Sequence, residues 1–599
     1  MRGVQQNGAA GTGKLVRRGS DASERVVIQA LLTLRMRDDL GFYVVTSNHS
    51  PTRRSVLFFS AAYLLVVAGF LWIFSQFYIP GKGFTYLIMF GDQRNALYLP
   101  ELRAIDHYEM EKSFGYDAQH YAQIAMRPVL DDPELANAVD NLPYRARRIL
   151  LSWIAFGLAG GDSTLALHLF SVQNIVCWLI LSVVLLHWFP PNGVNNFIRW
   201  SGVLLSFGMC FSVRGSLVDG PSLLLVAVAV LLYERGRQGL STLVMAIAGL
   251  GKETNILAAS ILADPQARGI RRWLVILSQG ALVLAPLLLW MAYLKVSLGS
   301  AGGVGTRNFE QPLVSYFAKW QTTLTQLSAE GFDSVAKWTL LMLIALSVQL
   351  IFFVVRPQWR QPWWRVGISY SVLMVVLGDA VWEGYPVAAS RVLLPMTLAF
   401  NVLVPRGRAW LVPLMLGNLT VFALFDALRP PGGVSFAVEG PGELIVEPQN
   451  GRPVDVTFGE GWYQPERSRL EFWRWSNGPS QLTLRNPHAF ALTIDVVFQL
   501  RSNVGRTVDL KEGDRYLWVG PVDRHQSPEV VIASYRLEPG NTVWRFETDQ
   551  PAAYANEDDL REVAFNLREF TVRVLGPAPT LSEGDGLEPP PVAGPDSQR

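Results

Sequence analysis

Two hydrophobic rhythms divide the chain. Between residues 55 and 428 apolar residues come in long, nearly unbroken runs; from about 432 onward they alternate with polar ones in short stretches. The first run, SVLFFSAAYLLVVAGFLWIFSQFYI at 55–79, is long enough to cross the ~30 Å hydrocarbon core as a helix. Further apolar segments follow at 164–189, 197–213, 218–233, 239–251, 254–267, 273–295, 336–355, 364–382, 388–404 and 409–428. In the second regime QLTLRN, ALTIDVVFQLRS and TVWRFETD alternate with period two between Gly, Pro and Asn, the pattern of strands that bury one face. The expected architecture is a membrane all-α polytopic bundle of about 11 transmembrane helices over 55–428. A C-terminal all-β sandwich over 432–576 follows it.

Arginine placement orients the bundle. The polar segment 1–54 ends in Arg53 and Arg54 and lacks the short apolar core of a signal peptide. The first span is therefore expected to stay as an anchor, with the N-terminus cytoplasmic. Arg199, Arg235 and Arg237, then Arg268, Arg271 and Arg272, then Arg356, Arg360 and Arg365, then Arg406 and Arg408 alternate onto that side on one condition. Residues 239–267 must form a hairpin of two short helices with Lys252 and Glu253 at its outer turn. The loop 80–148 and the β-sandwich of this multi-pass protein then lie outside the cytoplasm. Residues 144–160 are apolar but short and begin with three arginines, which fits a re-entrant or interface-lying helix. The loop 296–335, Gly-rich at 299–305, reads as a connector or a mobile lid. Both ends, 1–54 and the Pro-rich, acidic 577–599, are expected to be disordered.

Composition changes this picture little. Charged residues make up 17% of the chain, against about 25% in an average soluble domain. The net charge of +2 is less informative than where the charges sit. Cys177 and Cys210 fall inside apolar runs, so no disulfide framework is legible. There is no GxGxxG, Walker loop, GxSxG or His/Cys metal cluster, and no span carries the arginine ladder of a voltage sensor. A soluble nucleotide-sugar enzyme is therefore disfavoured, and nucleic acid is not an expected partner.

The candidate chemistry lies in FGYDAQHYAQIAMRP, residues 114–128. A carboxylate at the membrane face, Asp117, flanked by Tyr116, Gln119, His120 and Tyr121, suits general-base work on a sugar hydroxyl. It equally suits a loop cap. Other ionisable residues are placed at the same outer edge: Arg145, Arg147 and Arg148, Arg214 and Asp219, Lys252 and Glu253, Glu383 and Arg391. Taken singly, each is an ordinary interfacial charge or an intramembrane ion pair. Together they suit a cavity whose cations hold a phosphate headgroup and whose carboxylate receives a hydroxyl.

The sequence YDAQHY, followed by YRARRIL and later by LGKETNIL, resembles the GT-C superfamily. These are polytopic glycosyltransferases that take sugars from polyprenyl-phosphate carriers. Within it the chain is most similar to bacterial members of cell-surface glycopolymer assembly, in which a YDGQ-like motif precedes a YR..RIL stretch. Ala118 stands where Gly is usual, leaving Asp117 intact. The resemblance implies that Asp117 is catalytic, that Arg145 and Arg148 are the paired arginines, and that Lys252 and Glu253 occupy a recurrent hairpin tip. With Tyr116, Gln119, His120, Tyr121, Asp219 and Arg391 these form the expected substrate site. The implied partners are a polyprenyl-phosphate sugar donor, a glycan or glycolipid acceptor and the lipid bilayer. A divalent metal is left open: Asp92, Asp106 and Asp117 carry carboxylates in one loop, and no ligand spacing argues for it.

Two rivals share these features. A transporter or flippase of lipid-linked glycans needs the basic cavity but no base, and would show inverted repeats, which are not visible. A non-enzymatic polymer-assembly protein would use the β-domain to bind glycan. That domain resembles the accessory β-domains of some bacterial membrane glycosyltransferases. Its Trp462, Tyr463, Trp473 and Trp475 suit sugar stacking, although sandwich core is the favoured role.

Overall fold

The structure is a computed structural model that describes residues 52–110, 113–263, 268–300, 302, 306–332, 336–383, 387–431, 436–445, 452–467, 472–525, 527–556 and 559–579. The disorder expected for 1–54 and 577–599 falls almost wholly outside these residues. At the two inner edges the chain is ordered: the first helix begins at Arg53, and the last strand runs to Pro577, with the Ala578 N–H donating to Ala491 O.

Among the described residues four helices are long and apolar enough to cross a membrane: Arg53–Ser75, Ser163–His187, Ile270–Leu298 and Ala336–Val355. A fifth crossing results if Phe207–Arg214 and Asp219–Glu234, which meet at 119°, count as one broken span. This differs from the eleven crossings expected. The remaining apolar segments form shorter pieces, such as Gln238–Gly251, Pro362–Val376 and Leu394–Leu403. The expected span at 254–267 is instead a 3₁₀ segment, Glu253–Leu262. Irregular backbone survives among apolar helices only where protein satisfies its polar groups. Here Tyr370 Oη donates to Thr254 O at 2.9 Å, and Arg365 donates to Ser260 O and Ile261 O at 3.0 and 2.8 Å.

Residues 144–160 overlap the helix Leu142–Ala146 and contain Leu150–Leu158; the longer has nine residues, too few to cross a bilayer. Between 296 and 335 the connector reading missed a 17-residue helix, Val314–Glu330, which exposes Val314, Phe317 and Leu324. Gly299 ends the preceding helix in the left-handed region, φ 69°.

The C-terminal region is all-β. A five-stranded sheet runs in the order Arg515–Val522, Arg506–Glu512, Gly540–Thr548, Ser480–Asn486, Asp455–Phe458. The other sheet runs Glu529–Leu537, Leu492–Arg501, Asn566–Pro577, Phe472–Ser476, Trp462–Arg467, and Phe436–Glu439 adds parallel to Asn566–Pro577. Along Leu492–Arg501 every second residue is buried. Those side chains meet the facing sheet in one core, where Phe498 and Phe546 lie 5.9 Å apart and Trp544 is fully buried. Trp462 packs edge-on against Phe546 and Phe565, and the buried Tyr463 donates to Glu562 O, so both serve the sandwich. Trp473 and Trp475 are half-buried.

Candidate functional site

The loop 80–148 folds as a small scaffold. Phe90–Gly91 pairs in parallel with Glu109–Met110, and the helix Ala118–Met126 packs beneath. Gln119 ties this scaffold together. Its Oε1 lies 2.8 Å from Tyr98 Oη, and its Nε2 donates to Phe114 O at 2.7 Å. Gly115, at φ 76°, makes the approach possible, since a Cβ there would sit 2.3 Å from Gln119 Oε1. Gln123, one turn on, accepts the Leu99 N–H at 3.0 Å. His120 turns into the same interior: its Nδ1 accepts the Asp140 N–H at 3.4 Å, and its Nε2 is 3.6 Å from Asp140 Oδ2. Burial pushes the His120 imidazole down to about 4, although Asp140 pulls the other way. Gln119 and His120 were expected at the substrate; the structure makes them braces of the loop, and neither lines the cavity described next.

Asp117 is the N-cap residue of Ala118–Met126 by position, yet its carboxylate makes no cap hydrogen bond. Its Oδ1 instead accepts Arg145 Nη1 at 2.8 Å. Arg145 Nε and Nη2 donate to Asp140 Oδ1 and Oδ2 at 2.9 and 2.7 Å, a bidentate clamp. Burial alone would raise the Asp140 carboxyl; the Arg145 hydrogen bonds and charge outweigh it and hold the group at about 2. Burial would likewise lower the Arg145 guanidinium, and the two carboxylates instead push it up. Arg145 is thus a fixed cation behind Asp117.

In front of Asp117 opens a cavity of about 480 Å³. Four cationic side chains, Arg147, Arg148, Lys252 and Arg391, and three anionic ones, Asp117, Asp219 and Glu253, line it, a net charge of +1. The lining also includes the apolar Leu287, Met291, Leu373 and Leu377. Asp219 enters from the broken span. Between its two helices Ser216 takes φ 46°, a strained position for a residue with a Cβ. Asn174 Nδ2 braces the break by donating to Ser212 O and Leu217 O at 2.9 and 2.7 Å. Asp219 Oδ1 binds Lys252 Nζ, and its Oδ2 accepts Arg391 Nη1 at 3.0 Å. A buried carboxylate thereby holds two cations side by side. Gly208 lets the segment carrying Arg391 lie this close, since a Cβ there would be 2.4 Å from Ser390 O.

Arg148 has its own partners. Its Nε donates to Glu253 Oε2 at 2.9 Å, and its other nitrogens reach Tyr121 Oη and Tyr144 Oη at 3.1 and 3.3 Å. Tyr144, the first residue of the YRARRIL stretch, was not among the expected site residues. Tyr116 stands one contact from the cavity, accepting Arg391 Nη2 at 3.2 Å. Two charges placed at the same edge do not join it: Arg214 stacks on Tyr86 at 4.3 Å, and Glu383 pairs with Arg307 at the surface. The three carboxylates considered for a metal have separate partners. Asp92 accepts the Ser113 N–H, Asp106 pairs with Lys82, and Asp117 pairs with Arg145. Among the described residues no three His, Cys, Asp or Glu gather as a metal would need.

Among solved structures the chain is similar to the arabinosyltransferase EmbB from Mycobacterium smegmatis, at 13% identity and a TM-score of 0.25, over 92% of this chain and 67% of that one. A likeness at that TM-score carries no weight for fold or chemistry. No protein-family model and no curated protein matches.

Proposed function

We propose that the chain is an integral membrane glycosyltransferase of the GT-C type. It would transfer a sugar from a polyprenyl-phosphate donor to a glycan or glycolipid acceptor on the extracytoplasmic face of a bacterial inner membrane. One observation carries this reading: a half-exposed carboxylate and four cations share a cavity with apolar side chains of the helical region. Asp117 accepts the proton of the acceptor hydroxyl as its oxygen attacks the anomeric carbon. The bond from that carbon to the phosphate oxygen breaks, and the phosphate leaves with the electron pair. Arg148, Lys252 and Arg391 take up its charge, and the apolar side chains accommodate the first isoprene units. Arg145, expected among the outer-edge cations that hold the phosphate, serves instead to orient Asp117.

The broken span favours a second reading. Discontinuous helices with an ionisable residue at the break are a feature of transporters, and Asp219 stands just past such a break. The test is product formation by the purified chain from a synthetic polyprenyl-phosphate sugar in detergent micelles, where no sidedness exists. Glycan transfer there supports the enzyme. Absence of product, with movement of a labelled lipid-linked glycan across proteoliposomes, replaces it with the transporter.

A further inference from the structure

The connector between Ile270–Leu298 and Val314–Glu330 carries a segment that the transfer step leaves unused. Residues 306–313 run beside the chain at 375–378 and are tied to it by backbone hydrogen bonds. The Glu310 N–H donates to Val376 O at 3.0 Å, the Leu313 N–H to Val375 O at 2.6 Å, and the Gly378 N–H to Asn308 O at 2.9 Å. Phe309 and Leu377 pair there as an isolated antiparallel bridge. Gly378 permits the approach, since a Cβ there would lie 2.3 Å from Arg307 O. Arg307 adds an exposed ion pair with Glu383. The segment is thus fixed through its backbone, and Asn308 and Phe309 both line the Asp117 cavity.

These two side chains differ from the rest of the lining. Asp219 is taken by Lys252 and Arg391, and Glu253 by Arg148. Of the neutral polar side chains, Tyr121 and Tyr144 hold Arg148 through their hydroxyls, and the Thr254 hydroxyl is buried. The Asn308 amide, by contrast, has no hydrogen-bond partner among the described residues. The aromatic faces divide in the same way. Arg145 lies over the Tyr121 ring at 5.7 Å and Arg148 over the Tyr144 ring at 5.2 Å. The Phe309 ring meets no aromatic or cationic group among the described residues and is 47% exposed. An unengaged amide beside an open aromatic face suits a neutral sugar ring. The amide offers a donor and an acceptor to neighbouring hydroxyls, and the phenyl ring covers the C–H face. Depth decides which sugar. Lys252 and Arg391, which would hold the phosphate, are buried, whereas Phe309 stands at the mouth. A donor held at depth leaves the mouth to the acceptor, which must reach Asp117 from outside.

We propose that Asn308 and Phe309 form the subsite for a neutral sugar ring of the acceptor and set acceptor choice. This subsite presupposes that the cavity performs glycosyl transfer. The test measures initial rates of the full chain in a detergent without a sugar headgroup. Farnesyl phosphoryl sugars serve as donors and a panel of octyl glycosides as acceptors. Asn308→Ala and Phe309→Ala should each raise acceptor KM about fivefold, the worth of one neutral hydrogen bond or ring contact. Donor KM and kcat should change little, which also reports an intact fold. Phe309→Trp, which keeps an aromatic face, should stay near the wild-type acceptor KM. Absence of product from the wild type across the panel overturns the transfer reading and this subsite with it. Product from the wild type with an unchanged acceptor KM in both alanine variants overturns the subsite alone. A rise confined to donor KM also overturns it, giving the two residues to the donor sugar.

Discussion

Arg145 donates to Asp117 with one nitrogen while Asp140 holds two others, so the carboxylate at the cavity edge is positioned by a cation that cannot swing away. A capping role for Asp117 is not what the geometry shows, and the distinction has measurable consequences.

Asp117→Asn keeps size and most hydrogen-bonding capacity but removes the charge. Membrane insertion should be unchanged while transfer falls by about 10²–10⁴, the usual worth of general-base assistance. The readout is product formed per membrane-inserted protein; equal normalised activity would remove Asp117 from the mechanism. Arg145→Gln should lower kcat with little change in donor KM, because Arg145 acts through Asp117. Arg148→Ala should raise KM as well.

Asp219 separates Lys252 from Arg391, and all three are buried. Removing the carboxylate leaves two cations facing each other away from water. Asp219→Ala should cost about 3–5 kcal/mol, the range for a broken buried pair. Thermal unfolding of the purified protein measures this. Adding Lys252→Met should recover part of the loss; a double variant no more stable than the single one would mean the two cations do not oppose each other there.

His120 supplies a pH signature. Its folded value, about 4, lies below the ordinary 6.5, so between these values the unfolded chain binds more protons than the folded one. Stability should therefore be fully present above about pH 6.5 and decline as pH falls towards 4, by up to ~3 kcal/mol. His120→Gln should flatten that slope in pH-dependent melting. An unchanged slope would assign it to other groups.

The proposed orientation predicts that reporter fusions after residues 235 and 268 read cytoplasmic, and one after residue 430 extracytoplasmic. An extracytoplasmic result at 268 would undo the hairpin and with it the outer placement of Lys252.

The β-domain should fold alone. Residues 436–579 are expected to be soluble and β-rich by circular dichroism, and Trp544→Ala should cost about 3–5 kcal/mol, since that ring is fully buried between the sheets. A helical or unfolded spectrum would refute the boundary.

Local pattern alone determined the class of each half. A run such as 55–79 has no soluble fate, and the strict alternation in 492–501 can bury only one face of a strand. The polar loop around Asp117 was legible for the same reason, as charge and aromatics between apolar runs. Even the split between site and scaffold was partly written there: Asp117, at the N-cap, and Tyr121, four residues on, meet the cavity, while Gln119 and Gln123, also four apart, face inward.

Only the tertiary structure decided the rest. Apolar composition does not distinguish a helix surrounded by lipid from a broken one sheltered by other helices, so the number of continuous crossings could not follow from hydropathy. The 3₁₀ segment Glu253–Leu262 persists because Tyr370 and Arg365, more than a hundred residues away in sequence, satisfy its carbonyls. Which charge meets which is equally non-local. Asp219 finds Lys252 and Arg391 across 33 and 172 residues, because a burial cost of several kcal/mol per ion is offset only where the fold brings opposite charges into contact.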